Sequence, residues 1–205
     1  MTDEALKRWN ERFAAPGFLF GTAPNRFLES QKQRLPKQGR ALAVADGEGR
    51  NGVWLAQQGL AVTAVDFSAV ALAKARGLAE RAGVPLDTIQ ADLSAWQWPV
   101  AAYDVVAAIF IQFAPPPLRA KFFAAMRAAL KPGGLLILEG YTPKQLGYGT
   151  GGPPNAENMY TRALLEAAFA GMEILHLEEY DAAIEEGAGH KGISALIDLV
   201  VKNRA

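Results

Sequence analysis

The apolar residues of this chain fall into short unbroken runs, separated by longer stretches in which they recur every three or four positions. Ala41–Ala45, Ala61–Val65 and Leu135–Glu139 read as strands, Tyr103–Phe110 as a strand covered on both faces, and Leu86–Ala91 as a third strand that finishes at Asp92. Helical spacing occupies Asn51–Gln58, Ala69–Ala82 and the stretch from Pro115–Pro117 to Leu130. The ends of these helices carry stop and start residues: Gly59 after the first, Ser68 before and Gly83 after the second, prolines in the first turn of the third and Lys131-Pro132-Gly133-Gly134 behind it. Ahead of the first strand, Asp3–Ala14 reads as a helix capped by Thr2, with Leu6, Trp9 and Phe13 on one side, and a second helix is predicted around Arg26–Leu35. Thr161–Phe169 is helical, and Glu173–Tyr180 and Ile193–Val201 read as the last two strands.

Five strands alternating with helices predict a parallel, doubly wound α/β sheet with right-handed crossovers and helices on both faces. The short, turn-like connection between the last two strands makes them an antiparallel pair, for seven strands in all. No repeat or linker divides the chain, so 1–205 is expected to be a single domain. Within it, 1–38 forms an N-terminal helical lid and 39–205 the core. Residues 141–160, rich in Gly and Pro, form a substrate-side loop of a length that is usually functional or disordered. The aromatic-rich segment holding Phe18 and Phe20 suits a lid, as does Trp9, because such rings exclude water.

Composition removes several functions. Lys plus Arg and Asp plus Glu balance at 21 each with no basic run, so there is no footprint for general nucleic-acid binding. The absence of cysteine excludes disulfides, zinc–thiolate sites and a cysteine nucleophile, and two histidines, His176 and His190, are too few for a histidine metal cluster. The charged start MTDEALKRWNERF lacks the apolar core of a signal peptide, and no apolar run has the length of a membrane span. The expectation is a cytoplasmic protein, a monomer or weak homodimer, with no metal, nucleic-acid or membrane partner.

The stretch Arg40–Ser68 carries the chemistry. It reads strand, glycine loop, helix and strand, and ends on Asp66, whose carboxylate can accept both hydroxyls of a ribose. Gly47 and Gly49 allow a sharp turn and close approach to a ligand. Ligands in such sheets bind beyond the carboxyl ends of the strands, where Asp46–Gly49, Asp66, Asp92 and Phe110–Phe113 all fall. Taken literally, Gly47-Glu48-Gly49-Arg50-Asn51-Gly52 matches the dinucleotide pattern GxGxxG, and an NAD-dependent oxidoreductase is one reading. Against it, Asp46 and Glu48 would repel a pyrophosphate at the helix N-terminus, Asp92 supplies a contact suited to an adenine amino group, and no second mononucleotide half follows. A cofactor with a cationic amino-acid end, such as S-adenosylmethionine, suits an acidic loop better.

The motifs also carry a family resemblance. AVADGEGRNGVWLAQQGLAVTAVDFS, QADL, YDVVAAIF and LKPGGLLILEGY resemble, in order, the motifs of class I S-adenosylmethionine-dependent methyltransferases, nearly end to end. RWNERFAAPGFLFGTAPNRFL and EGYTPKQLGYGTGGPP are similar to the branch containing tellurite-resistance and thiopurine methyltransferases. The resemblance implies a Rossmann-like fold, S-adenosyl-L-methionine as cofactor and S-adenosyl-L-homocysteine as product. It implies cofactor contacts from Trp9, Arg12, Phe20 and Gly21 of the N-terminal segment. The methionine part goes to Ala45, Asp46, Gly47, Gly49, Arg50 and Asn51, the ribose to Asp66 with Phe67 and Ser68 beside it, and the adenine to Asp92 and Leu93, with Ile109 and Phe110 closing the site. Two positions depart from the pattern: the acid and the glycine that usually end the first strand are Ala43 and Ala45, and Asp46 is the residue placed to take over the acid's role.

Methyl transfer from a sulfonium is an in-line displacement with a neutral leaving group, so alignment and desolvation can supply much of the catalysis. Thiolates and selenium or tellurium oxyanions need no strong base. Candidates beside the acceptor are Tyr141, Tyr148 and the pair His190 and Lys191, which resembles a His-Arg pair of tellurite-type members. Each also has a plainer reading, as loop packing or a solvated turn. Glu139 either faces the substrate or caps the sheet, and Glu178–Glu179 and Glu185–Glu186 read as solvated acidic faces. The expected activity is methyl transfer to a small-molecule nucleophile such as a thiol or chalcogen oxyanion. The alternatives are the NAD-dependent oxidoreductase and a non-catalytic protein that binds S-adenosylmethionine or S-adenosylhomocysteine.

Overall fold

The computed structural model describes residues 2–187 and 189–204. Strands β1 (Gly39–Val44), β2 (Leu60–Asp66), β3 (Asp87–Gln90), β4 (Tyr103–Ile109), β5 (Leu130–Tyr141), β6 (Glu173–Glu186) and β7 (His190–Lys202) form one sheet in the order β3-β2-β1-β4-β5-β7-β6. The first five run parallel, while β7 is antiparallel to both β5 and β6. Strand order reverses between β1 and β4, so a crevice opens beyond their carboxyl ends.

The strands look continuously apolar because both faces are covered. Ala41, Ala43, Val62, Ala64, Val105, Ala107, Leu135 and Ile137 point to one face, against Phe27, Trp54 and Leu55. Their neighbours Leu42, Val44, Val65, Val106, Ala108, Leu136 and Leu138 point to the other, against Phe122, Phe123, Met126, Leu165 and Phe169. This period-two division seats helices α2 (Arg26–Ser30) and α3 (Arg50–Gln57) on one side and α5 (Pro116–Ala129) and α6 (Arg162–Ala168) on the other. Helix α1 (Asp3–Ala14), capped by Thr2, packs against α4 (Ala69–Ala82), which Ser68 caps and Gly83 ends at φ +66°. Among the described residues no helix is long and apolar enough to cross a membrane.

Four expectations need correcting. The second helix is a single turn and a half, Arg26–Ser30, followed by a 3-10 turn over Lys32–Arg34. Lys131–Gly134 does not leave the sheet: β5 starts at Leu130 and carries these residues, with the register slipping opposite Tyr103–Val105 and Gly133 and Gly134 bonding to Asn203. The Tyr141–Tyr160 stretch contains two 3-10 turns, Pro143–Gly147 and Ala156–Asn158. Most consequentially, β6 and β7 extend to Glu186 and His190, so residues 185–187 and 189–192 belong to the end of a long hairpin reaching over the carboxyl end of the sheet, and Ala188 lies outside the described residues.

Gly49 marks where α3 must start. It sits at φ +89° in the N-cap position, and a Cβ there would lie 2.6 Å from the Ala75 Cβ of α4. Gly49→Ala is expected to cost about 2–4 kcal/mol, from left-handed strain and overpacking together. Gly83→Ala, at φ +66° with nothing within 4 Å, meets strain alone and should cost about 1–2 kcal/mol. Urea unfolding of the two variants checks this; equal losses would mean that contact with Ala75 is not what selects glycine.

Candidate functional site

Two residues without glycine's freedom turn the chain at the crevice. Ala45, just beyond β1, takes φ +49°, and Phe110, just beyond β4, takes φ +55°. Left-handed backbone costs a non-glycine residue about 1–2 kcal/mol. Strained turns at two adjacent strand ends are the kind of feature that functional sites retain. The position where the resembling family has glycine therefore keeps glycine's conformation although it holds alanine.

One cleft lies there. Its walls include Trp9, Phe20, Ala45, Asp46, Gly47, Arg50, Asn51, Asp66, Phe67, Ile109 and Phe110, all named from sequence, together with Phe13, Ile111, Phe113 and His190. Asp66, buried at the end of β2, accepts the Gly47 N–H on Oδ2 and the Ser68 N–H on Oδ1, each at 2.9 Å. Each oxygen keeps a lone pair for a hydroxyl, the requirement for holding a diol. Burial pushes its pKa up, and hydrogen bonds from Ser68, Gly47 and Phe67 oppose that shift.

The acidic glycine loop works differently from the sequence reading. Asp46 accepts the Gly52 N–H at 3.0 Å, capping α3 from within, and burial raises its pKa to about 7. The amides that a pyrophosphate would use at this helix start thus already face a carboxyl group, so the site does not suit a dinucleotide. Glu48 turns away from the cleft: its carboxylate accepts the Leu19 N–H at 2.7 Å and pairs with Lys74 at 2.9 Å. Lys74 in turn donates to the carbonyls of Ala15 and Gly17, so Glu48 and Lys74 together fasten the N-terminal segment.

A second cavity of about 480 Å³ adjoins the cleft. Arg8, Arg12, Gln112, Tyr141, Asn158 and the Gly151–Asn155 loop line it, and it shares Trp9, Phe20, Phe110, Phe113 and His190 with the cleft. The partition between the two is aromatic: the His190 ring lies 4.5 Å from Phe20, 4.4 Å from Phe110 and 5.8 Å from Tyr141. Arg12 is placed in this cavity, stacked on Trp9 at 4.3 Å, and not in the cleft.

Behind the partition lies a buried polar network that the sequence did not reveal. Glu186, assigned from sequence to a solvated face, is 7% exposed. It receives Arg50 Nη2 at 2.6 Å, Asn25 Nδ2 at 3.0 Å and the Arg26 N–H at 3.3 Å, and His190 Nδ1 stands 3.8 Å away. Burial would raise its pKa, but His190 and the Arg50 guanidinium outweigh this and bring it to about 2. Asn25 also donates to Glu139, caps α2 through the Leu28 N–H and gives its own N–H to Asn51. Glu139 is therefore an anchor for α2, neither facing the substrate nor capping the sheet. Burial and the cross-strand neighbour Asp198 push its pKa well up. An N-cap asparagine after Pro24 was the signal that could have flagged Asn25.

Several residues named from sequence lie outside both cavities. Lys191 is exposed and pairs with Glu185 at 3.3 Å, because alternation along β7 puts it opposite His190. Gly49 serves the helix start, Ser68 caps α4 and bonds Asn10, and Gly21 packs near the backbone of Gly187. Asp92 accepts the Ser94 N–H at 2.9 Å, and Leu93 is buried in the core.

The Arg50–Glu186 pair makes a measurable prediction. Arg50→Met strands a buried carboxylate and should lose about 3–5 kcal/mol at pH 7. Because the folded pKa of Glu186, about 2, lies below its ordinary 4.5, its contribution is present above pH 4.5 and disappears as pH falls toward 2. Urea unfolding should show the gap between wild type and Arg50→Met closing across that window; a gap independent of pH would remove Glu186 from the explanation.

Comparison with known proteins agrees with this geometry. Residues 41–134 match the family model described as a methyltransferase domain. No curated protein matches the chain. Among solved structures, the fold is similar to that of the protein titled "Conversion of a Disulfide Bond into a Thioacetal Group during Echinomycin Biosynthesis" (TM-score 0.76, 17% identity, covering 97% of this chain and 89% of that one). It is similar to the N-methyltransferase NodS from Bradyrhizobium japonicum WM9, solved with S-adenosyl-L-homocysteine (TM-score 0.70, 11% identity, 99% and 100% covered). TehB from Haemophilus influenzae is a further likeness, with TM-score 0.67, 17% identity, and 86% of this chain and 61% of that one covered. The matched segment contains the glycine turn, Asp66 and the β4 end that build the cleft, so the residues that resemble a methyltransferase domain are the ones the fold brings to the site.

Proposed function

We propose that the methyl acceptor is a small-molecule nucleophile, a thiol, a chalcogen oxyanion or a similar heteroatom, held in the second cavity while the cofactor fills the cleft. The observation that carries this reading is the shared wall: Phe20, Phe110 and His190 line both spaces, so molecules held in the two are neighbours against the same side chains. When bound, the cofactor supplies an electrophilic methyl group on a sulfonium.

The chain's own residues then have distinct tasks. Asp66 holds a diol, and the aromatic walls exclude water and fix the approach line. A thiol or hydroxyl acceptor must also lose a proton. His190 is placed to take it: burial holds its pKa below the ordinary value, so the ring is neutral at pH 7. With Nδ1 turned toward Glu186, the other ring nitrogen is left to accept from the acceptor. The Tyr141 hydroxyl, kept protonated by burial and by Glu139 and Glu186, can donate a hydrogen bond beside it. The tellurite-resistance and thiopurine branch is the subgroup whose N-terminal segment and glycine-rich loop this chain resembles, and soft acceptors fit that likeness.

Label transfer from methyl-labelled S-adenosylmethionine to a panel of thiols, chalcogen oxyanions and amines tests the reading; cofactor binding without transfer to any of them would favour a non-catalytic binder. With a hydroxyl or thiol acceptor, kcat/KM should rise through a midpoint below pH 6.5 and then level. His190→Asn should remove that limb and lower the rate about 10²- to 10⁴-fold. A limb that survives the substitution would assign proton removal to another group.

A further inference from the structure

The second cavity has a chemical polarity that the transfer reaction alone does not require. Arg8 and Arg12 stand four residues apart on α1 and both line it. Neither forms an ion pair with a described residue; Arg12 only stacks on Trp9. Among the described residues, no acidic side chain lines the cavity. Burial and the neighbouring Arg8 hold Arg12 below its ordinary pKa, so the two guanidiniums repel one another across a space with nothing to balance them. Both arginines are exposed on α1 and stand at the rim of this open cavity.

A second feature points to a ligand independently. The Tyr141 hydroxyl and Asn158 Oδ1 are buried atoms without a hydrogen-bond partner, in side chains at 1% and 9% exposure, and both belong to this cavity. Buried polar groups left unmade cost about 1–3 kcal/mol each. They are complementary, one a hydroxyl that donates and the other an amide oxygen that accepts. The same cavity is also lined by flat apolar groups, Trp9, Phe20, Phe110, Phe113, Pro153 and Pro154, with Gln112 and Asn155 as further polar residues.

We propose that the acceptor is a flat organic acid: its anionic group binds Arg8 and Arg12, its ring lies between the aromatic and proline walls, and its nucleophilic thiol or hydroxyl meets Tyr141, Asn158 and His190. This rests on the reading of the second cavity as the acceptor site. It narrows the class of acceptor from any small nucleophile to one with a full negative charge away from the reacting atom.

The test separates the two claims by measuring binding as well as transfer. Calorimetry in the presence of S-adenosylhomocysteine would compare 4-mercaptobenzoate with the neutral 4-mercaptobenzamide. Charge-assisted hydrogen bonds are worth about 1.5–3 kcal/mol, so the acid should bind about ten- to a hundredfold tighter. The preference should shrink with added salt and be lost in the double variant Arg8→Gln, Arg12→Gln, whose affinity for the amide should be unchanged. Equal binding of acid and amide, no binding of the acid at millimolar concentration, or a preference that survives in the double variant would overturn the proposal. So would a fall in S-adenosylhomocysteine affinity equal to the fall for the acid, which would give the arginines to the cofactor. If acid binding depends on the arginines but labelled methyl is not transferred to the acid, the anion site stands and the acceptor reading falls.

Discussion

The site depends on one buried carboxylate. Glu186, at the last position of β6, gathers Arg50 from the start of α3 and Asn25 and Arg26 from the start of α2. Those three elements are far apart in sequence: one follows the first strand, one belongs to the N-terminal segment, and one is the end of the C-terminal hairpin. A buried ion pair with two further hydrogen bonds is satisfied only when all three are in place, and breaking it leaves an uncompensated charge. Glu186 therefore fixes a geometry more than it adds net stability. The neighbouring Glu139 and Asp198 are buried in the same region, and burial together with nearby like charge raises the pKa of each.

Strain is the second constraint. Ala45 and Phe110 hold left-handed backbone at the ends of the two central strands, each next to atoms that line the cleft. The Phe110 N–H bonds the Glu139 carbonyl, and the Gln112 amide clasps the backbone of Tyr141 through both its groups, at 2.6 and 2.8 Å. The turn after β4 is thus held by β5 on two sides, enough to keep a phenylalanine where few residues sit. What this positions is the Phe110 ring itself, edge-on to His190 and 4.7 Å from Tyr141.

The sheet was legible because its information is local. Period-two apolar runs, Ser68 and Gly83 around α4, and prolines opening α5 each act within a few residues. The cleft was legible for the same reason: Asp66 and the glycine turn sit at strand ends that the pattern marks. The polar network was not, since its members lie up to 161 residues apart, as Asn25 and Glu186 do. Read alone, Glu185–Glu186 is an acidic pair in a turn-rich stretch; only the extension of β6 sends Glu186 inward while Glu185 stays outside with Lys191. Glu48 shows the same limit. Its charge was visible, but whether it faced a ligand or Lys74 depended on where α4 came to rest.

The two cavities are products of one packing event. Trp9, Phe13 and Phe20 form a mutually packed aromatic group, and Phe20 continues it to His190 on the hairpin. The Leu19 carbonyl accepts the Gly189 N–H at 3.0 Å, and a Cβ at Gly187 would fall 2.5 Å from that same carbonyl oxygen. The hairpin tip carries glycine there because the N-terminal segment lies directly on its backbone. Trp9, Phe20 and His190 each face both spaces, so neither cavity is complete until segment and hairpin touch. Covering the cleft and building the wall of the second cavity are consequently the same contact, and a ligand that favours either space favours the other.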